Sequence, residues 1–151
     1  MKKYSVFAMV LSVMFLSITS FSFTNNKGGD VFEIYLNGKQ MIQQFVHGDK
    51  SAKTLHLASI GENDKIEVFY SHCGVTGKSR VLTIRNEKNE LVKELKFADV
   101  AKHSRMVFQK KDIPGNKSSK MNLYYSSKEL TTPKLLATIS WKENRSLARL
   151  Q

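Results

Sequence analysis

Between the apolar runs IEVFY and RVLTI the chain carries the octapeptide HCGVTGKS, residues 72–79. It gathers a histidine, the chain's single cysteine, two glycines, a lysine and a serine. Three of the chemistries such residues support are nucleotide binding, metal binding and thiol reactivity.

A phosphate-binding loop reads G-x-x-x-x-G-K-[ST], because its glycines let backbone N–H groups wrap the phosphates ahead of a helix N-terminus. Here His72 stands at the first glycine position, and the strand-like RVLTI follows where the helix is needed. The pattern fails its own structural requirement, and no nucleotide or other cofactor is expected.

A copper or zinc centre on His72 and Cys73 is the second reading, with His56, His103 and Met106 as further donors. Adjacent residues of a regular strand point to opposite faces, however. His72 continues the face of Ile66, Val68 and Tyr70, and Cys73 lies on the other. The two share an ion only where the strand bends or ends.

A reactive thiol, the third reading, needs cations close by. Lys78 and Arg80 are near in sequence, but no second cysteine and no acid–histidine pattern completes the chemistry. Cys73 then reads as a buried small hydrophobe at a strand end.

A fourth reading keeps the loop and drops the reaction. Gly74 and Gly77 permit a tight exposed turn, Lys78 and Arg80 set cations at its base, and backbone N–H groups in such a turn make a small anion-binding concavity. A second basic cluster follows the same logic. Lys110 and Lys111 end one strand and Lys117 and Lys120 flank the next loop, so a hairpin through Pro114-Gly115 would gather them. No nucleophile–base pair is legible among the carboxylates, and the chain reads as a binding protein rather than an enzyme.

The elements that hold these residues are short. Nine strands are predicted, at 31–36, 39–46, 54–60, 65–73, 79–86, 90–97, 105–111, 121–127 and 134–142. The alternation behind them is clear in four sets: Ile66, Val68, Tyr70; Leu91, Leu95, Phe97; Met121, Leu123, Tyr125; and Leu135, Ala137, Ile139, Trp141. Asn37-Gly38 suits a two-residue hairpin, NEKN at 86–89 a longer one, Pro114-Gly115 a type II turn, and TTP at 131–133 the lead into the last strand. Only 97–103, with Asp99 as a cap, and the tail from Asn144 have any helical character. The fold class is therefore all-β: one antiparallel β-sandwich, Ig-like or jelly-roll-like, of about eight or nine short strands.

Ahead of it, MKKYSVFAMVLSVMFLSITSFSFT has the lysines, the apolar stretch and the small residues Ser20 and Ser22 of a cleavable export signal. The expected organisation is a signal peptide at 1–22, a flexible leader at 23–30, the β-sandwich domain at 31–143 and a short C-terminal tail at 144–151. No cysteine near the cut would carry a lipid anchor, and the single Cys73 rules out an internal disulfide. The expected location is a bacterial periplasm, the cell surface or the medium into which the protein is secreted, with no transmembrane segment after processing.

Lys2 and Lys3 leave with the signal. Of 24 basic residues 22 then remain against 13 acidic ones, a net charge of +9. A field of that sign favours anionic partners, such as an acidic glycan, a lipid head group or another envelope protein. The residues expected to meet them are Lys78, Arg80, Lys110, Lys111, Lys117 and Lys120.

Overall fold

The computed structural model describes residues 29–46, 51–100, 104–113 and 120–141. The export signal, most of the leader, His103, Pro114-Gly115, Lys117 and the tail lie outside these residues. Ten strands occur among the described residues: β1 (Val31–Leu36), β2 (Lys39–Phe45), β3 (Lys53–His56), β4 (Lys65–His72), β5 (Val75–Thr76), β6 (Arg80–Asn86), β7 (Leu91–Phe97), β8 (Met106–Gln109), β9 (Met121–Ser126) and β10 (Lys134–Ser140).

They form two five-stranded sheets. The first runs β2-β1-β4, and the far edge of β4 is shared by β8 along Lys65–Val68 and by β5 at Ser71–His72. The second runs β3-β10-β9-β6-β7. All pairings are antiparallel except β3 with β10, which is parallel, so the second sheet is mixed. No described helix is long and apolar enough to cross a membrane.

The inner faces meet in one core, in a sandwich-like arrangement. Phe32, Ile34, Ile42, Ile66, Val68, Met106 and Phe108 come from the first sheet, and Leu55, Leu82, Ile84, Met121, Leu123, Ala137 and Ile139 from the second. Burial contributes roughly 1.5–3 kcal/mol for each large apolar side chain, which offsets the ordering of a chain without disulfides. Tyr70 and Tyr125 stack across the interface at 4.2 Å between ring centroids.

Turn chemistry joins the strands as expected at two hairpins. Asn37 and Gly38 both have positive φ between β1 and β2, the requirement of a type I′ turn. Asn86 accepts the Lys88 and Glu90 amides through Oδ1 at the β6–β7 loop.

Two departures come from β-bulges. Register shifts between Ile84 and Arg85 on β6, and Leu91 then lies opposite Arg85 and is 56% exposed, while Leu95 and Phe97 pack on the core. On β10 the shift falls between Leu135 and Ala137. Leu136 and Ala137 are both buried, and Leu135 is 41% exposed instead of sharing the face of Ala137 and Ile139. A bulge adds one residue to one strand, so the alternation inverts across it. The segment 98–100 is not helical, and Asp99 accepts the Ser79 amide at 2.6 Å instead of capping a helix.

Candidate functional site

At one end of the sheets several strands finish on a polar residue that keeps the inward phase. Asp30 precedes Phe32 and Ile34, His72 follows Val68 and Tyr70, Arg80 precedes Leu82 and Ile84, and Ser127 follows Leu123 and Tyr125. This polar layer closes the core above the Tyr70–Tyr125 stack.

The octapeptide resolves into three pieces. β4 ends at His72, and Cys73 and Gly74 form a second hairpin turn with φ of 50° and 89°. Val75 and Thr76 pair back onto Ser71 and His72. Gly77 to Ser79 then carry the chain to the other sheet. The expectation of one tight turn is replaced by a miniature hairpin followed by a crossover. Cys73 is exposed and not buried as expected, because it occupies the hairpin tip beyond the strand end, while the His72 side chain turns inward and is 11% exposed.

His72 is bonded on both ring nitrogens. Nδ1 lies 3.3 Å from Asp30 Oδ2, which also accepts the Tyr70 hydroxyl at 2.9 Å. Nε2 lies 3.0 Å from Ser127 Oγ, 3.3 Å from the Tyr125 hydroxyl and 4.0 Å from Glu129 Oε2. Burial, and then the bond to Asp30, pushes the Tyr70 phenol far above its ordinary range, and burial raises Tyr125. Both phenols therefore stay protonated. Burial opposes ionisation of Glu129, but bonds from the Ser127 hydroxyl and the Lys78 and Glu129 backbone N–H groups outweigh it, with help from His72, and hold its carboxyl below the ordinary range.

Asp30–His72–Ser127 has the order of an acid–base–nucleophile triad. Acyl transfer also needs a hydroxyl free to pass its proton to histidine, and N–H donors aimed at a developing oxyanion. Here the Glu129 carboxylate competes with His72 for the single Ser127 O–H, and the Lys78 N–H is held by both oxygens of that carboxylate, at 3.1 and 3.0 Å. Gly77 is packed over the same atoms: a Cβ there would sit 2.5 Å from the Tyr125 hydroxyl and 2.8 Å from His72 Nε2. The arrangement fastens β4 of one sheet to the β9–β10 connection of the other.

Two of the turn's N–H groups are held by the chain's own carboxylates and a third by a hydroxyl. Lys78 N–H is on Glu129, Ser79 N–H on Asp99, and Gly74 N–H on Ser71 Oγ. Arg80 is 3% exposed, and it donates to the carbonyls of Ser104 and Ala98 at 2.9 Å each. It anchors the segment after β7 and is not presented to solvent. Lys78 is exposed.

The second basic cluster lies at the opposite end of β4, roughly 23 Å away at about 3.3 Å per residue. β8 and β9 belong to different sheets and do not pair with each other as a hairpin would, and Pro114-Gly115 and Lys117 lie outside the described residues. Lys110 donates to the Ile60 carbonyl at 2.7 Å, pairs with Glu62 at 3.1 Å and lies 5.7 Å from the Trp141 ring. Lys111 is exposed and reaches Asn63 Oδ1 at 3.3 Å, and Lys120 is exposed beside Glu87. Trp141 follows the strand segment in which Ile139 pairs with Met121, which sets Lys110 and Lys120 at the same end.

The metal reading finds its two residues in different roles, with His72 inside and Cys73 at the surface. Met106 is buried in the core. Among the described residues no three His, Cys, Asp or Glu side chains gather as metal ligands would.

Sequence reasoning missed Asp30, Ser127 and Glu129. Its usable signal was the inward phase of β1 and β9, which reaches Asp30 and Ser127 when extended past the strand ends. Also missed was the outer face of the first sheet, where Arg105 lies 3.6 Å from the Tyr35 ring centroid and pairs with Glu67 at 2.9 Å. Comparison with protein-family models, with curated proteins and with solved structures finds no match to this chain.

Proposed function

We propose that this chain is an exported, single-domain β-sandwich that acts as a non-catalytic binding module, in the periplasm or at the cell surface, for an anionic partner. The partner class is an acidic glycan, a lipid head group or the acidic face of another envelope protein. The observation that carries the reading is the unequal treatment of the two charge signs.

Every described carboxylate has a partner within the chain. Six of them hold backbone N–H groups, of Gly38, Gly61, Lys78, Ser79, Gln109 and Lys120, and so staple loops. Among the described lysines, only Lys96 and Lys110 lie within 4.0 Å of a carboxylate. The acidic groups are engaged inside the fold, and most of the described ammonium groups are left to the solvent and to whatever approaches through it.

Lys111 and Lys120 are the contacts we assign first, with Lys110 as their tethered neighbour and Lys78 as a separate cation at the far end. Arg80 drops out, because its guanidinium is buried. The engaged Ser127 hydroxyl and Lys78 N–H support a non-catalytic reading of the polar layer.

The test is binding to dextran sulfate, a polyanion without sequence or stereochemical preference, by the protein and by its Lys111→Glu/Lys120→Glu and Lys78→Glu variants. The double reversal is expected to weaken binding at least several-fold with the thermal midpoint unchanged, and Lys78→Glu to weaken it less. Equal affinity of all three proteins would refute the assignment.

A further inference from the structure

A half-open cleft of about 200 Å³ lies on the side of the molecule where β2 of one sheet faces β3 and β10 of the other. Its walls are Phe32, Val46, Ala52 and Leu135, and its polar groups are Gln44, Ser51 and Lys134. The bulge in β10 builds its rim. In an unbroken strand Leu135 would share the core phase of Ala137 and Ile139. The bulge at Leu136 turns Leu135 away from that phase, and Leu135 lines the cleft. The Gln44 amide, on the inward face of β2 and 8% exposed, donates to the Ser51 carbonyl at 3.3 Å and fixes the opposite wall.

Among the described residues that line the cleft, Lys134 is the charged one. Lys134 is partly buried, and among the described residues no carboxylate lies within 4.0 Å of its ammonium group. A cation beside apolar walls, with part of its hydration removed, favours an anion as neighbour. The size sets the other half of the specification. An apolar cavity of roughly 150 Å³ accommodates benzene, and pockets for larger ligands begin near about 300 Å³.

We propose that this cleft binds a small carboxylate with an apolar body, an aryl or short acyl carboxylate, whose tail packs on Phe32, Val46 and Leu135 and whose head pairs with Lys134. The site is separate from the lysine patch at Lys111 and Lys120, and neither proposal depends on the other.

The probes are octanoate, octanol and octylammonium, which share a tail and differ in head charge, titrated into ¹⁵N-labelled protein and followed by amide chemical shifts. Octanoate should give saturable shifts at Val46, Ser51, Ala52 and Leu135, with octanol weaker and octylammonium weakest. Lys134→Met, which keeps the stem and removes the charge, should weaken octanoate about tenfold and leave octanol unchanged. Ala52→Phe, which fills the cleft, should abolish shifts from both. Octylammonium binding as tightly as octanoate, octanoate unaffected by Lys134→Met, or no saturable shift at these residues would each overturn the site. Octanoate shifts confined to Lys111 and Lys120 would also overturn it, since they report surface attraction alone.

Discussion

Gly77→Ala adds one methyl group at the point where the two sheets are fastened. Gly77 is buried, and its φ lies outside the left-handed region, so an L-residue meets no backbone penalty there. The added Cβ, however, would sit 2.5 Å from the Tyr125 hydroxyl, 2.8 Å from His72 Nε2 and 3.0 Å from Glu129 Oε2. Tyr125 cannot swing aside cheaply, because its ring is fully buried and stacked on Tyr70.

Two costs follow. Forcing a methyl group into packed surroundings costs about 1–3 kcal/mol. Displacing His72 from Tyr125 and Ser127 leaves polar groups without partners in a half-buried setting, at about 1–3 kcal/mol. The costs overlap, because one movement relieves the clash and breaks the bonds, so the expected loss is about 2–4 kcal/mol. Gly61→Ala is the internal control, since its Cβ would meet Asp64 at an ordinary 3.6 Å and should stay within about 0.5 kcal/mol of wild type. Urea unfolding followed by the fluorescence of Trp141 measures both, with the slope unchanged and the midpoint moved. If Gly77→Ala unfolds within 0.5 kcal/mol of Gly61→Ala, the polar layer does not hold the sheets together as argued.

Three further outcomes follow from the same geometry. Arg80→Met leaves the Ser104 and Ala98 carbonyls without their donors and should cost about 1–3 kcal/mol, and Arg80→Glu should cost more by burying an anion among carbonyls; thermal unfolding of both decides it, and a wild-type midpoint for Arg80→Glu would contradict its burial. Glu129 titrates below its ordinary value in the folded chain, so its ionised form contributes stability above about pH 4.5 that is lost as pH falls through the folded value. The stability difference between wild type and Glu129→Gln should therefore shrink as a pH series of urea midpoints descends below 4.5, and a constant difference would remove Glu129 from the account. Cys73 holds φ of 50° in a turn that favours asparagine, so Cys73→Asn should raise stability by up to about 1 kcal/mol, and a marked loss in the same unfolding assay would show that the thiol contributes contacts the turn needs.

Much of this architecture was legible from alternation and turn residues alone. Each of the nine expected strands has a counterpart, because half-buried strands write their period directly into sequences such as Ile66–Val68–Tyr70 and Met121–Leu123–Tyr125. The tenth, Val75–Thr76, has two residues and no period to read. The bulges were hidden for a related reason: an inserted residue at Val92 or Leu136 is itself apolar, and nothing in composition marks where the phase inverts. That is why Leu91 and Leu135 were expected on inward faces.

The polar layer was harder to see because its members are distant in sequence and each resembles an ordinary strand-end residue. His72 was placed on the inward face by its phase with Tyr70. The same reasoning applied to Arg80, in phase with Leu82 and Ile84, points to burial, but its charge suggested the surface. A cation can be buried where backbone carbonyls receive its donors, and those carbonyls, at Ala98 and Ser104, come from a segment whose path no local pattern specifies.

The central claim is that the protein's exposed lysines bind an anionic partner. Its most direct test is the affinity for dextran sulfate measured across ionic strength, since the Debye length shrinks from about 30 Å at 0.01 M to about 8 Å at 0.15 M. The account predicts a steep loss of affinity over that range, and a shallower one for Lys111→Glu/Lys120→Glu. Affinity independent of salt, or no binding at the lowest ionic strength, would contradict it.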